Sequence, residues 1–400
     1  MKKFLIFAGR HHHAQKLFGT YLALDAANGV ESKWLISNNS INIDPATEFI
    51  FSYGRDKSSV YHLYNDTSQK VVSRIKDSYE KLKSMLFTPD VINNIPPFWF
   101  LQGLREAAEV NYLSQDLFKR YKPNGLLVLH TNNFWGRILA YNAKNQNIPV
   151  FAFQEGMIRD LDQDTMKKQT SASDYVDVLF VWTEEDKKKY EAAGAKCEII
   201  VSGPSHLDYS LRAITQAHVM KREYREEANI NHDSKIVGLA LPLASHYKGN
   251  LDKDTYDICS WAYIHGYTIL LRAHPFDRNL GNQIKENLKF IGNCIIVADE
   301  WDVGKFISMC DVLLGQHSTI GLEAVMLKVP FFEFSRGKNK VLESKNYANS
   351  IDVDGINSWN DFRNSDEVNR FCSEFLLRNQ SNLDGYAVTR IQEAILKKTE

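Results

Sequence analysis

Twelve short apolar runs constrain what this chain can fold into more than any other feature. Seven lie in the first half: KFLIFAG (3–9), SKWLIS (32–37), ATEFIFSYG (46–54), GLLVLH (125–130), PVFAFQEG (149–156), VLFVWT (178–183) and CEIIVSG (197–203). Five follow: KIVGLALP (235–242), YTILLRAHP (267–275), CIIVADE (294–300), VLLGQHS (312–318) and VPFFEF (329–334). Most are continuously apolar, the pattern of parallel strands buried on both faces. Stretches between them, such as DKDTYDICSWAYIHGY (252–267), suit crossover helices. Strand-helix alternation of this kind means βαβ units in doubly wound sheets. The expected fold class is therefore α/β, with two Rossmann-like domains facing a cleft. Gly203-Pro204 stops the seventh run, and the polar stretch 215–234 leads into the second set. The expected domains are 1–212 and 213–375, with 376–400 as a terminal helical segment. A chain of 400 residues suits two cores rather than one.

The charge balance excludes some classes. A net charge of -1 provides no general attraction for nucleic acid. The basic run Lys187 to Lys189 sits among acids in TEEDKKKYEAA and reads as a solvated helix face. Five scattered cysteines without a CxxC pair argue against a disulfide framework or a zinc knuckle, and suit a reducing compartment. No apolar run reaches the roughly 20 residues needed to span a bilayer. A cytoplasmic location is expected. The aromatic segment INNIPPFWFLQGL (92–104) either packs inside the first domain or touches a membrane surface or lipid-linked acceptor.

In doubly wound sheets ligands sit at the carboxyl ends of the strands, so the residues after each run carry the functional reading. Arg272-Ala273-His274-Pro275 ends one run, and Gln316-His317-Ser318-Thr319 ends another, directly before the helical TIGLEAVMLK. Ser318 and Thr319 read either as helix caps or, with Arg272 and His274, as a phosphate site. Gln154-Glu155-Gly156 puts a carboxylate at a strand tip. Glu155 is a candidate general base for a hydroxyl, or else a salt-bridged loop acid. His130, Asn132 and Asn133 supply hydrogen-bonding groups suited to a sugar. The acidic loop at 159–164 lacks calcium-loop spacing, and no metal is expected.

Three stretches carry a family resemblance: QEG with the run on to VSGPSHLD (154–208), RAHP (272–275), and CDVLLGQHSTIGLEAVMLKVPFFEF (310–334). They resemble bacterial GT-B glycosyltransferases of capsule and lipopolysaccharide assembly: polysialyltransferases, capsular Kdo transferases and CDP-glycerol glycerophosphotransferases. The resemblance covers the second half of the chain and little of the first 120 residues. His274-Pro275 looks like the family's His-Pro motif, and Ser318-Thr319 like its Ser-Ser/Thr motif. Gln154 departs from the acidic-acidic-Gly motif of sialyl-type members, while Glu155 matches its second acid.

The resemblance implies a CMP-activated donor, a Kdo- or sialic-acid-like sugar, moved onto a glycan or lipid-linked acceptor without a metal or other cofactor. His274, Ser318 and Thr319 would hold the phosphate, and backbone near Ala298 to Trp301 the base. Trp301 would stack on that base or fill a core, and Glu323 would reach the ribose or simply complement its helix dipole. A retaining reaction would use Asp160 or Glu155 as nucleophile, an inverting one Glu155 as base. Fold-level analogy packs the helix over 384–398 back on the first domain. The alternatives are a CDP-polyol phosphotransferase, whose relatives carry His where this chain has Glu155, a UDP-sugar-dependent transferase or epimerase, and a non-catalytic sugar-nucleotide-binding module. The triplet His11, His12 and His13 follows the first strand and opens a helical run, so it is no tag. It is expected to contact a sugar beside Gln154, His130 and the two asparagines.

Overall fold

The computed structural model describes residues 1–9, 11–36, 50, 60–62, 97–129, 134–156, 173, 175–213, 217–244, 247, 249–274, 277, 280–299, 301–316, 319–336, 349–358, 366–379 and 381–400. The expectations placed on His130, Asn132, Asn133, Asp160, Pro275 and Ser318 lie outside these residues. Contacts divide the chain into two compact units. One comprises Met1–Glu155, Leu161–His206 and Tyr386–Glu400, the other Gly156–Asp160 and Leu207–Gly385.

In the first unit the described strands are β1 (Lys2–Ala8), β2 (Val30–Ile36), β3 (Val60–His62), β4 (Gly125–Val128), β5 (Val150–Phe153), β6 (Val178–Val181) and β7 (Glu198–Val201). Its helices are α1 (His11–Asp25), α2 (Pro97–Tyr121), α3 (Phe134–Lys144) and α4 (Glu184–Ala192). The strands form one parallel sheet in the order β3-β2-β1-β4-β5-β6-β7. Alternation along β1 shows why its run is apolar throughout. Phe4, Ile6 and Ala8 enter one core with Leu17 and Tyr21 of α1, and Leu5 and Phe7 enter the opposite core with Leu113 and Leu117 of α2.

The second unit has α5 (Asp208–Ala213), α6 (Ala217–Glu227), β8 (Lys235–Ala240), α7 (Leu251–Ile264), β9 (Tyr267–Arg272), α8 (Leu280–Asn287), β10 (Ile295–Val297) and α9 (Val303–Met309). These are followed by β11 (Val312–Gly315), α10 (Ile320–Met326), β12 (Phe331–Ser335), β13 (Asn349–Asp352) and α11 (Asp366–Asn379). Its parallel sheet runs β10-β9-β8-β11-β12-β13. Gly238 allows β8 to sit under Cys310: a Cβ there would come within 2.5 Å of its Sγ. At the C-terminal edge Arg336 binds Asp254 at 2.6 Å and Asp257 at 2.5 Å, both on α7, and also Asp354. The Tyr247 hydroxyl donates to Asp254, so one arginine holds the segments after β8, β12 and β13 together. The chain ends with α12 (Ala387–Lys398), which returns to the first unit and contacts α1. Ile391 and Ile395 of α12 lie in the core beside Leu17 and Tyr21.

Two strands have no counterpart among the apolar runs. Both β3 (VYH) and β13 (NSID) are short and sit at sheet edges. An edge strand pairs on one side only and needs no continuous apolar run. Of the expected strand over 46–54, only Ile50 is described; it is buried and helical. Among the described residues, no helix is long and apolar enough to cross a membrane.

Candidate functional site

At the strand ends of the first unit, Glu155 follows β5 with about a third of its side chain exposed. Helix α1 reaches it twice. Lys16 Nζ donates to the Glu155 main-chain carbonyl at 2.5 Å, and His13 Nε2 stands 3.5 Å from Glu155 Oε1. His13 and Lys16 are three residues apart and so share one face of the helix. His11 and His12 are the first two positions of α1. His13 is 2% exposed.

Gln154 is also turned inward. Its Oε1 accepts from Trp182 N at 2.9 Å, and it hydrogen-bonds the buried Asp186. The amide therefore ties β5 to β6 and the start of α4, where Thr183 caps the helix through Asp186 N. Burial pushes the Asp186 carboxyl up, against the hydrogen bonds from Thr183 and Gln154 that pull it down.

Next to Gln154 lies a shallow, solvent-open depression, lined in part by Lys16, Gln154, Trp182, Ser202, Ser205 and His206. Lys16 Nζ lies 5.3 Å over the Trp182 ring, and Trp182 and His206 pack with ring centroids 5.3 Å apart. Lys16, Trp182 and His206 escaped the sequence reading. Trp182 directly follows β6 and His206 comes after β7, so the strand-end rule could have found them. Lys16 could have been found from its helical spacing to His13.

At the strand ends of the second unit, Arg272 Nη1 donates to the carbonyls of Ala298 at 2.8 Å and Trp301 at 2.6 Å. Its guanidinium, 5.7 Å from the Phe306 ring centroid, shapes the turn after β10. These bonds place Nη1 on main-chain carbonyls at the end of the neighbouring strand. Asp299 closes the same turn by accepting from Ala273 N at 2.6 Å. His274 is half-buried, and its carbonyl starts a turn by accepting from Asp277 N at 2.7 Å. Trp301 is half-buried, with Lys305 Nζ 5.6 Å over its ring. Thr319 occupies the N-cap position of α10 without a side-chain capping bond. Glu323 is 3% exposed on a helix buried along its length. Among the described residues, no group of three His, Cys, Asp or Glu is placed to hold a metal.

Taken together, the Glu155 carboxylate, about a third exposed, with Lys16 on its main-chain carbonyl and an imidazole 3.5 Å from its side chain, can take a proton from a bound molecule. The two Rossmann-like units, each built on an all-parallel sheet, have the GT-B fold. The solved structures it resembles include a UDP-GlcNAc 2-epimerase from Neisseria meningitidis bound to UDP-GlcNAc. That match has 15% identity and a TM-score of 0.65, over 99% of this chain and 100% of that one. A UDP-GlcNAc 2-epimerase from Methanocaldococcus jannaschii matches with 14% identity and a TM-score of 0.59, over 98% of this chain and 100% of that one. The wall teichoic acid polymerase TagF, soaked with CDPG, matches with 15% identity and a TM-score of 0.60, over 100% of this chain and 88% of that one. At these identities the likeness is one of fold. Compared by sequence, the chain matches no protein-family model and no curated protein.

Proposed function

We propose that this protein is an enzyme acting on a nucleotide-activated sugar, a UDP-sugar-dependent epimerase or transferase, with Glu155 as its base. The observation that carries the reading is Glu155 itself: a reachable carboxylate at a strand tip, with Lys16 on its main-chain carbonyl and His13 3.5 Å from its side chain. The full-length likeness to UDP-GlcNAc 2-epimerases supports a UDP-sugar over the CMP-activated ulosonic acid that the family resemblance implies. In an epimerase Glu155 takes a proton from carbon; in a transferase it takes one from the acceptor hydroxyl. His274, Thr319 and the neighbouring Ser318 hold the phosphates and ease departure of the nucleotide. The scheme uses no metal, so EDTA leaves turnover unchanged.

A second reading, transfer of a CDP-activated polyol, draws support from the likeness to TagF. Glu155 stands against it, because the glycerophosphotransferases that this chain resembles carry a histidine there. One experiment separates the readings. The protein is incubated in D2O with UDP-GlcNAc, CDP-glycerol, CMP-Kdo and CMP-sialic acid in turn, with glycan acceptors present and absent. Consumption of UDP-GlcNAc, with deuterium entering at carbon 2 if the reaction is epimerisation, supports the proposal. Turnover confined to the CDP or CMP compounds overturns it. Binding without turnover of any donor would leave a non-catalytic module.

A further inference from the structure

We infer that His13 is a positioning residue for Glu155, not a wall of the sugar site. The inference rests on the reading of Glu155 as base. His13 stands in the first turn of α1, and its side chain is 2% exposed whereas that of Glu155 is 35% exposed. A molecule arriving from solvent therefore meets the carboxylate and not the imidazole. In its Nε2–H tautomer the ring points a donor at Glu155 Oε1 across 3.5 Å. At 3.5 Å this is an ion-pair contact longer than a hydrogen bond, and such contacts between catalytic groups tighten when the substrate binds.

Gly9 leaves room for this arrangement. A Cβ there would stand 3.1 Å from the Phe7 ring and 3.8 Å from His13 Nδ1, so the imidazole lies close over the end of β1. One turn further along the helix, Lys16 fixes the Glu155 main chain. Helix α1 thus holds the backbone with a lysine and orients the carboxylate with a histidine.

The test uses two readouts on the full chain. In protein labelled with 15N-histidine, with His13 assigned by loss of its signals in His13→Gln, Glu155→Gln should shift the His13 Nε2 resonance and leave the His274 resonances in place. In turnover of UDP-GlcNAc, His13→Leu keeps the volume but removes the donor. It should lower kcat about 100-fold, the scale of a small misplacement of a reacting group, with KM unchanged. His13→Gln keeps an N–H donor and should recover at least a tenth of the native rate. An unmoved Nε2 resonance, or a His13→Leu protein that turns over as fast as the native one, overturns the inference. If His13→Leu fails to fold, His13→Phe, which fills the same space without a donor, takes its place in the turnover assay. Failure of the underlying reading shows separately, as undiminished turnover by Glu155→Gln, and removes the ground for the inference as well.

Discussion

Lys16 Nζ lies 2.5 Å from the carbonyl oxygen of Glu155 and 5.3 Å over the ring of Trp182, so one ammonium pins the ends of β5 and β6. Replacing it with methionine keeps the apolar stem and removes the pin. Lys16→Met should fold with a Tm close to that of the native protein and lose about 100-fold in kcat, because Glu155 is no longer fixed in place. Steady-state kinetics beside a thermal melt checks this; unchanged kcat contradicts it.

The Arg336 cluster predicts a stability effect. Asp254 is fully buried and bound by Arg336 and Tyr247. Burial and the bond to Asp254 both push the Tyr247 phenol up, so it stays a donor. Arg336→Met leaves the buried carboxylate without its cation. Loss of one partner of a buried pair costs roughly 3 kcal/mol. Urea unfolding of the two proteins measures the difference, and a value near zero would refute the role given to Arg336.

Asp186 predicts a pH dependence. Burial raises its folded-state pKa, so the folded protein holds this proton more tightly than the unfolded chain. The contribution of this group to stability is fully present below the ordinary carboxyl range and is lost as pH rises through the folded-state value. Asp186→Asn removes this slope. Its stability relative to native should therefore improve as pH climbs from about 4 upward, the ordinary Asp value. Melting curves in steps of pH would show it, and a constant gap would count against it.

The cysteines predict an order of reaction. Burial pushes the Cys259 thiol up to about 12 and the Cys197 thiol up to about 11, and raises buried Cys310 further. Among the described cysteines, Cys294 should react first with a thiol reagent in the native protein. Peptide mapping after brief labelling checks the order; early labelling of Cys259 or Cys310 contradicts it.

The interior strands were legible because a parallel strand such as β1 is buried on both faces and so writes an unbroken apolar run. Edge strands β3 and β13 leave no such trace. The strand-end rule found Glu155 but could not say which way a polar side chain turns. Gln154, Arg272 and Glu323 all follow strands or start a helix, and all three are engaged inside their units. Lys16 was hidden for a different reason. It lies in the second turn of a helix, far in sequence from the strand tip it serves, and only the fold brings the two together.

The most direct test of the central claim is turnover of UDP-GlcNAc by Glu155→Gln, with binding of the same compound measured in parallel. The substitution keeps the size of the side chain and removes its ability to accept a proton. The account predicts that turnover falls by about 1000-fold, the range for loss of a general base, while Kd stays within a few-fold of native. A Glu155→Gln protein that converts UDP-GlcNAc at the native rate would contradict it.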